Sequence, residues 1–170
     1  MFRLGAHVSI SGGVANAVQE QQDLGGTCGQ IFVGSPRTWA VSEMDAADAD
    51  DFQAATAEAD IGPWIVHGTY LINFATPKDD LAEKSIDCVQ AELDTTAELG
   101  IPYYTFHPGA HTGAGVDSGL ENIGECLSEL DVPEGTKVLL ENTAGKGTTL
   151  GKRMDHLERM VAASGLDYDD

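Results

Sequence analysis

Strand-like and helix-like segments alternate five times along this chain of 170 residues. Each short run of β-branched and aromatic residues is followed by a longer stretch in which apolar residues recur every three or four positions. The predicted strands cover residues 2–7, 28–33, 63–67, 103–107 and 137–141. This alternation is typical of βαβ units around a parallel sheet, so the sequence predicts an α/β fold of the TIM-type β/α-barrel kind.

Apolar spacing also locates helices between and after these strands. The first follows Gly12-Gly13, the second covers residues 46–59, and the third covers residues 79–99. Two more are marked by Leu120, Ile123, Leu127 and Leu130, and by Leu150, Met154, Leu157 and Val161. Gly100 and Gly165 are predicted to end the third and fifth helices, because glycine readily adopts a left-handed conformation.

The length of the chain limits how much of a barrel it can form. A complete eight-stranded barrel typically needs about 250 residues, whereas this chain has 170. No low-complexity linker divides it. We therefore expect residues 1–170 to form a single, incomplete barrel domain with about five of the eight βα units.

The charge balance is strongly acidic, with nine Lys and Arg residues against 28 Asp and Glu residues and a formal net charge of −19. Such a charge repels nucleic acids and membrane surfaces at low ionic strength. Alternatively, it indicates a surface adapted to high salt, where the screening length falls to about 3 Å at 1 M. The normal apolar content together with only five lysines favours this halophile-like interpretation.

Cysteine usage and hydropathy bear on the compartment. Cys28, Cys88 and Cys126 form no C-x-x-C pair, and no run of 18 apolar residues is present. The first residues form a strand-like run rather than a signal peptide. We expect a cytoplasmic protein with reduced thiols and no membrane partner.

Three successive predicted strands end on a side chain that can bind a metal ion: His67, His107 and Glu141. In a β/α barrel the carboxyl ends of the strands converge on the face that carries the active site. Zinc favours imidazole nitrogen and carboxylate oxygen, and catalytic zinc sites keep a position open. The pattern predicts a catalytic metal site, and the alternative is three unrelated polar residues at strand ends.

Other residues at the same face allow more than one interpretation. Arg37 follows the second strand, and Tyr70 and Leu71 follow the third. Such side chains can enter a nucleic-acid groove, although residue type alone favours ordinary packing over the barrel mouth. His7 ends the first strand and either orients a metal ligand from behind or is a core histidine. The glycine-rich segment around Lys146 is either a phosphate contact or a flexible loop.

Five motifs, in order and with matching spacing, closely resemble the endonuclease IV family of apurinic/apyrimidinic endonucleases. They are Gly5-Ala6-His7-Val8-Ser9 with Gly12-Gly13, Arg37-x-Trp39, His67-x-x-Tyr70-Leu71-Ile72-Asn73, Phe106-His107-Pro108-Gly109-x-His111, and Leu140-Glu141-Asn142-Thr143-Ala144-Gly145-x-Gly147. The resemblance covers the whole chain.

This resemblance implies a β/α barrel that binds three zinc ions and cleaves damaged double-stranded DNA on the 5′ side of abasic sites, in base-excision repair. It implies that His67 and His107 hold one zinc ion and that the catalytic Glu141 bridges this ion to a second. It also implies that Arg37, Tyr70 and Leu71 enter the DNA at the lesion.

One departure from the family pattern changes what we expect of the isolated chain. The remaining His, Asp and Glu ligands of the family lie in later strands, and this chain resembles only the N-terminal portion. We expect at most one well-formed zinc site, weak or no cleavage by the chain alone, and self-association or docking with a complementary C-terminal fragment. The alternatives are a metal-dependent barrel related to sugar isomerases and epimerases, and a non-catalytic remnant or subunit.

Overall fold

The computed structural model describes residues 2–166 and contains a parallel sheet surrounded by helices. The four strands are β1 (Gly29–Ile31), β2 (Trp64–His67), β3 (Tyr103–Phe106) and β4 (Lys137–Leu140). The five helices are α1 (Asn16–Leu24), α2 (Ala46–Ala59), α3 (Asp79–Glu98), α4 (Val116–Ser128) and α5 (Met154–Ser164). The strand order is β1-β2-β3-β4, so each strand pairs with its predecessor in the sequence after a helical connection. This confirms the predicted partial β/α barrel.

The first predicted strand, residues 2–7, is not a regular strand, and that prediction was wrong in extent. The segment runs parallel to β1 and makes one isolated bridge, between His7 and Gln30. Its backbone groups find other partners, since the Gln21 side chain bonds both the N–H and the carbonyl of Ala6. A side-chain amide therefore replaces part of the ladder that a strand would use, while Gln30 still donates its N–H to the Ala6 carbonyl at 3.2 Å.

Local sequence signals explain where several helices begin and end. Asp45 accepts hydrogen bonds from the backbone N–H groups of Ala47 and Asp48, and the Asp48 carboxylate accepts one from the Asp45 N–H. This capping box begins α2. Gly100 and Gly165 adopt φ values of 67° and 70° beyond α3 and α5, which confirms both predicted helix ends.

The core joins the central strands to the helices around them. Phe74 and Phe106 pack edge to face with ring centroids 5.1 Å apart, and Phe52 and Trp64 do so at 5.3 Å. All four side chains are buried. Close packing of these buried rings holds the ends of β2 and β3 in fixed positions. The site residues extend from these two strand ends.

The outer edge of β4 is less covered than the central strands. Leu139 is 38% exposed, and no strand of residues 2–166 pairs with the far side of β4. An apolar groove of about 500 Å³ follows this edge. It is lined by residues of β4, α4 and α5, among them Val138, Leu140, Leu157 and Val161. This edge is where a further strand of a complete barrel would add.

Within the described part of the chain, no helix is both long and apolar enough to cross a bilayer. Cys28, Cys88 and Cys126 are all free thiols.

Candidate metal centre

Strand register places the three predicted ligands on one face of the sheet. His67 is paired with Thr105, two residues before His107, and Thr105 is paired with Leu139, two residues before Glu141. Because side chains alternate between faces with a period of two, all three ligand side chains point the same way. The parallel direction of the strands places them together at the carboxyl end of the sheet.

The distances fit a metal site. One ligand atom from each of His67, His107 and Glu141 lies within 4.8 Å of the others, and Nε2 of His67 lies 3.0 Å from Oε2 of Glu141. Donor atoms around a tetrahedral zinc ion are about 3.4 Å apart, from bond lengths of about 2.1 Å, so the most widely spaced donors would move together by up to about 1.4 Å around an ion. Three donors in this arrangement leave a fourth position open. The predicted residues therefore form a group that can hold a metal ion.

The hydrogen bond on the other side of the His67 ring strengthens this interpretation. Nδ1 of His67 lies 2.7 Å from the Gly68 carbonyl oxygen, which can only accept, so Nδ1 carries a proton. A neutral ring would then direct the Nε2 lone pair at a carboxylate oxygen 3.0 Å away. Two lone pairs would repel at this distance, so the contact needs a shared proton or a cation between the two groups. The buried His67 and the half-buried Glu141 are arranged as metal ligands commonly are.

Phe32 belongs to the same cluster, although sequence reasoning missed it. Its ring centroid lies 4.2 Å from that of His7, 5.4 Å from that of His67 and 5.5 Å from that of Tyr70. Phe32 follows the last residue of β1, in register with His67 after the pair Ile31–Val66. The predicted strand over residues 28–33 includes Phe32, but the sequence did not reveal that β1 ends at Ile31 or which face Phe32 would occupy.

Tyr70 covers the candidate metal site. Its ring centroid lies 5.7 Å from that of His67 and 6.0 Å from that of His107, while 59% of its surface remains exposed. Arg37 is exposed and Leu71 is half-buried. A backbone hydrogen bond of 3.2 Å from the Tyr70 N–H to the Pro36 carbonyl holds the two loops together. The structure thus brings Tyr70 against the predicted ligands and holds the Arg37 loop to the Tyr70 loop. The DNA contacts of all three residues stay a prediction.

His7 lies beside the ligands. Its Nδ1 pairs with Nε2 of Gln30 at 2.8 Å, and its ring centroid is 6.2 Å from that of His67. Desolvation by burial, followed by repulsion from His67, lowers the pKa of His7. This placement is compatible with the predicted role of orienting a metal ligand, which stays a prediction.

A buried carboxyl group lies beneath the site and was also missed. Glu92 of α3 is 3% exposed. It accepts hydrogen bonds from the Tyr104 hydroxyl at 2.6 Å and from the Thr69 N–H at 3.2 Å. Burial raises the pKa of Glu92 to about 7, against the opposite effect of these two hydrogen bonds. Glu92 stands three residues after Val89 on the apolar face of α3, so a charge at a core-facing position was the available signal.

Two other histidines have structural roles in the described fold. Nδ1 of His111 accepts from the N–H groups of Gly113 and Gly115 at 3.3 and 3.1 Å. Nδ1 of the buried His156 accepts from the Gly151 N–H at 3.3 Å. Both rings organise loops rather than join the metal group.

Together, the parallel sheet and the cluster of imidazole and carboxylate at its carboxyl end define a barrel protein with a candidate metal-binding site. The sequence model of the xylose isomerase-like TIM barrel matches residues 18–167. The chain belongs to this family.

Comparison with known proteins is more specific within the family. The chain is 53% identical over 169 residues to the probable endonuclease 4 of Haloarcula marismortui, covering 99% of this chain and 61% of that protein. It is 46% identical over 164 residues to the probable endonuclease 4 of Chloroflexus aggregans, covering 94% and 57%. The resemblance to endonuclease IV is thereby confirmed, and the chain spans less than two thirds of these relatives.

Solved structures agree with this. Endonuclease IV from Thermus thermophilus superposes with a TM-score of 0.83 at 35% sequence identity, covering 95% of this chain and 59% of that one. A D-tagatose 3-epimerase-like protein superposes with a TM-score of 0.70 at 17% identity, covering 93% and 60%. The second likeness shows the shared barrel fold alone.

Proposed function

We propose that this chain is the metal-binding and lesion-recognising part of a zinc-dependent endonuclease of the endonuclease IV type. The reaction is hydrolysis of the DNA phosphodiester bond 5′ to abasic sites, in base-excision repair. The observation that carries the proposal is the grouping of His67, His107 and Glu141 within 4.8 Å, in a chain 53% identical to a probable endonuclease 4.

Each site residue has a distinct proposed role. His67 and His107 would hold one zinc ion, and the Glu141 carboxylate would be shared between that ion and a second one in a complete barrel. An ion bound there would supply Lewis-acid chemistry toward a phosphodiester oxygen. Arg37, Tyr70 and Leu71 enter the duplex at the lesion.

The net charge of the chain limits which contacts can contribute to its affinity for DNA. Phosphate contacts normally supply most nonspecific affinity, and a net charge of −19 opposes them. In high salt both the repulsion and the phosphate contribution are screened. Contacts at the lesion therefore have to supply most of the binding, which makes the exposed Tyr70 and Arg37 central to the proposal.

Binding and cleavage of a dye-labelled duplex that contains one abasic site test this function. We expect the wild-type chain with zinc to bind this duplex more tightly than an undamaged duplex, and to cleave it slowly or not at all. Tyr70→Ala and Arg37→Ala should each reduce the preference at least about tenfold, a loss of about 1.4 kcal/mol. Equal affinity of the wild-type chain for both duplexes would contradict the proposal.

A ketose-epimerisation assay on the same protein preparation distinguishes the sugar isomerase or epimerase alternative from the nuclease. A ketose epimerase would interconvert ketoses with the bound metal and would ignore abasic DNA. The Arg37 and Tyr70 loops favour the nuclease, because a small sugar pocket does not need exposed side chains projecting above it. A non-catalytic subunit would bind abasic DNA without cleaving it, even when the rest of a barrel is supplied.

We also propose that the apolar groove along β4 packs against the further βα units of a complete barrel, supplied by continuing sequence or by a complementary chain. The chain covers 61% of its Haloarcula marismortui relative, which leaves sequence for such units in that protein. In this arrangement residues 1–170 form a single partial barrel domain. Without those units, self-association through the same edge is expected.

A further inference from the structure

The buried carboxylate of Glu92 requires an explanation beyond packing. A buried carboxylate has a large desolvation cost, and core positions on helices are normally apolar. Here a single acidic side chain, 3% exposed, lies between α3 and the loop that follows β2. Its two oxygens have separate partners, since Oε2 accepts from the Tyr104 hydroxyl and Oε1 accepts from the Thr69 N–H.

The loop lies directly against this pair. A Cβ atom at Gly68 would lie 2.4 Å from the Tyr104 hydroxyl oxygen and 3.1 Å from Oε2 of Glu92. Only glycine fits between the metal ligand His67 and Thr69 without moving these groups. Glu92 therefore binds the loop at the Gly68–Thr69 peptide, one residue beyond the ligand. This hydrogen bond sets the direction in which the following residues leave β2.

Thr69 also connects the loop after β2 to the loop that contains Arg37. Its hydroxyl donates to the Thr38 carbonyl at 3.3 Å, and the Tyr70 N–H donates to the Pro36 carbonyl at 3.2 Å. These two carbonyls flank Arg37 in the sequence. One buried carboxylate is thus connected, through one threonine, to both loops that carry the predicted lesion contacts.

Other residues on the same face of α3 contact the same region. Lys84, Cys88 and Glu92 are spaced by four residues and so share one side of the helix. The Lys84 ammonium lies 4.9 Å from the centroid of the Trp39 ring, and the Cys88 thiol lies 3.8 Å from the Trp39 carbonyl oxygen. The residues of α3 therefore support the Arg37 loop and the Tyr70 loop together.

We propose that Glu92 is a positioning residue for lesion specificity, which fixes the Arg37 loop relative to the Tyr70–Leu71 loop without contacting the metal ion or the DNA. The part of this inference that concerns specificity rests on the proposed function, in which Arg37, Tyr70 and Leu71 contact an abasic site. The part that concerns loop position is independent of these DNA contacts.

Three variants isolate the contribution of the Glu92 acceptor. Glu92→Met keeps the length of the side chain and removes both acceptor oxygens. Glu92→Gln retains one amide oxygen for the Thr69 N–H, and Tyr104→Phe leaves that hydrogen bond untouched. A fourth variant, Thr69→Val, preserves shape and the N–H but removes the hydrogen bond to Thr38, so it tests the connection between loops if Glu92→Met fails to fold.

Binding of duplexes with and without a tetrahydrofuran abasic-site analogue is measured by fluorescence anisotropy. We expect Glu92→Met and Thr69→Val to reduce the ratio of the two affinities at least about tenfold, and Glu92→Gln and Tyr104→Phe to stay within about threefold of wild type. Zinc affinity, measured against a chromophoric chelator, should stay within about threefold in Thr69→Val, because the ligands and the Gly68 carbonyl behind His67 are unchanged. In Glu92→Met it should fall about tenfold, because the peptide whose N–H loses its acceptor also supplies that carbonyl. Binding to DNA is therefore compared at saturating zinc.

Acrylamide quenching of Trp39 reports loop position without DNA, since Trp64, the other tryptophan, is 2% exposed. We expect increased quenching in Glu92→Met and Thr69→Val only. Wild-type quenching in both variants would overturn the positioning role whether or not DNA binds. A second outcome combines increased quenching in these variants with a wild-type chain that does not prefer abasic DNA. This outcome would contradict the proposed function but would support the role of Glu92 in positioning the loops.

Discussion

At the scale of single residues, the candidate metal site depends on the contact between His67 and Glu141. Nε2 of His67 faces a carboxylate oxygen at 3.0 Å, while its Nδ1 proton is committed to the Gly68 carbonyl. A cation at this point satisfies both groups. The carboxylate is the more accessible partner, with 37% of its side chain exposed, so it can be changed with little disturbance of the core.

Glu141→Gln should weaken zinc binding by more than about 100-fold, because loss of a group that only hydrogen-bonds a ligand already costs about 10–100-fold. Glu134→Gln is the matched control, since it removes the same charge from an exposed turn before β4. Competition with a chromophoric zinc chelator measures both affinities. Equal weakening in the two variants would show that overall charge, and not ligation, controls binding.

Glu92 makes stability depend on pH. Its pKa is about 7 in the folded chain against an ordinary value of 4.5, so the folded state holds this proton more tightly. The associated stabilisation is fully present below pH 4.5 and is lost as the pH rises through about 7. Relative to Glu92→Gln, the wild type should lose about 2 to 3 kcal/mol of unfolding free energy between about pH 5 and 8.

Denaturant unfolding of both proteins across this pH range measures the difference. The variant is the reference because every other titrating group is common to both chains. Parallel pH profiles would mean that the Glu92 carboxyl is ionised to the same extent in the folded and unfolded states.

At the scale of elements, the helices follow their local signals more closely than the strands do. The bounds predicted for α2 agree with the structure, because the Asp45 capping box is built within four residues. By contrast, residues 2–7 have a strand-like composition but make only an isolated bridge. Pairing depends on a neighbour distant in sequence, and Gln21 competes for the same backbone groups.

Asp45→Ala should destabilise the chain by about 1 kcal/mol, since it removes the acceptor for two N–H groups at the start of α2. Asp45→Asn loses the same charge but keeps a side-chain oxygen that can cap the helix, so it should cost only a few tenths of a kcal/mol. Thermal or denaturant unfolding distinguishes the two. Similar losses in both variants would point to charge rather than capping.

At the scale of the whole molecule, the sheet has an uncovered side. The burial of side chains decreases from β2 and β3 to β4, where Lys137 and Leu139 are exposed. An apolar edge of this kind favours association with other strands. The expectation from the sequence that the chain pairs with itself or with a complementary fragment remains a prediction.

Leu139→Lys should shift the isolated chain toward the monomer, because a charged side chain at a sheet edge opposes pairing. Leu24→Lys is the control, since Leu24 is 62% exposed at the end of α1 and lies outside the β4 groove. Sedimentation velocity over a range of protein concentrations measures the association. A wild-type chain that stays monomeric throughout, or two variants with the same effect, would contradict the prediction.

The sequence alone determined the order of the elements, the parallel character of the sheet and the identity of the candidate ligands. These features are readable because hydrophobic periodicity and the chemistry at strand ends are local properties. The motif resemblance identified the family on the same basis.

Only the tertiary structure decided which face each side chain occupies and what lies around it. Phe32 joins the site through strand register, and Glu92 reaches two loops through Thr69. Residues 2–7 make one bridge to β1, and a glutamine on α1 binds the backbone of Ala6. Each outcome depends on a contact between residues far apart in sequence, and the free energy of such a contact is set by packing rather than by local composition.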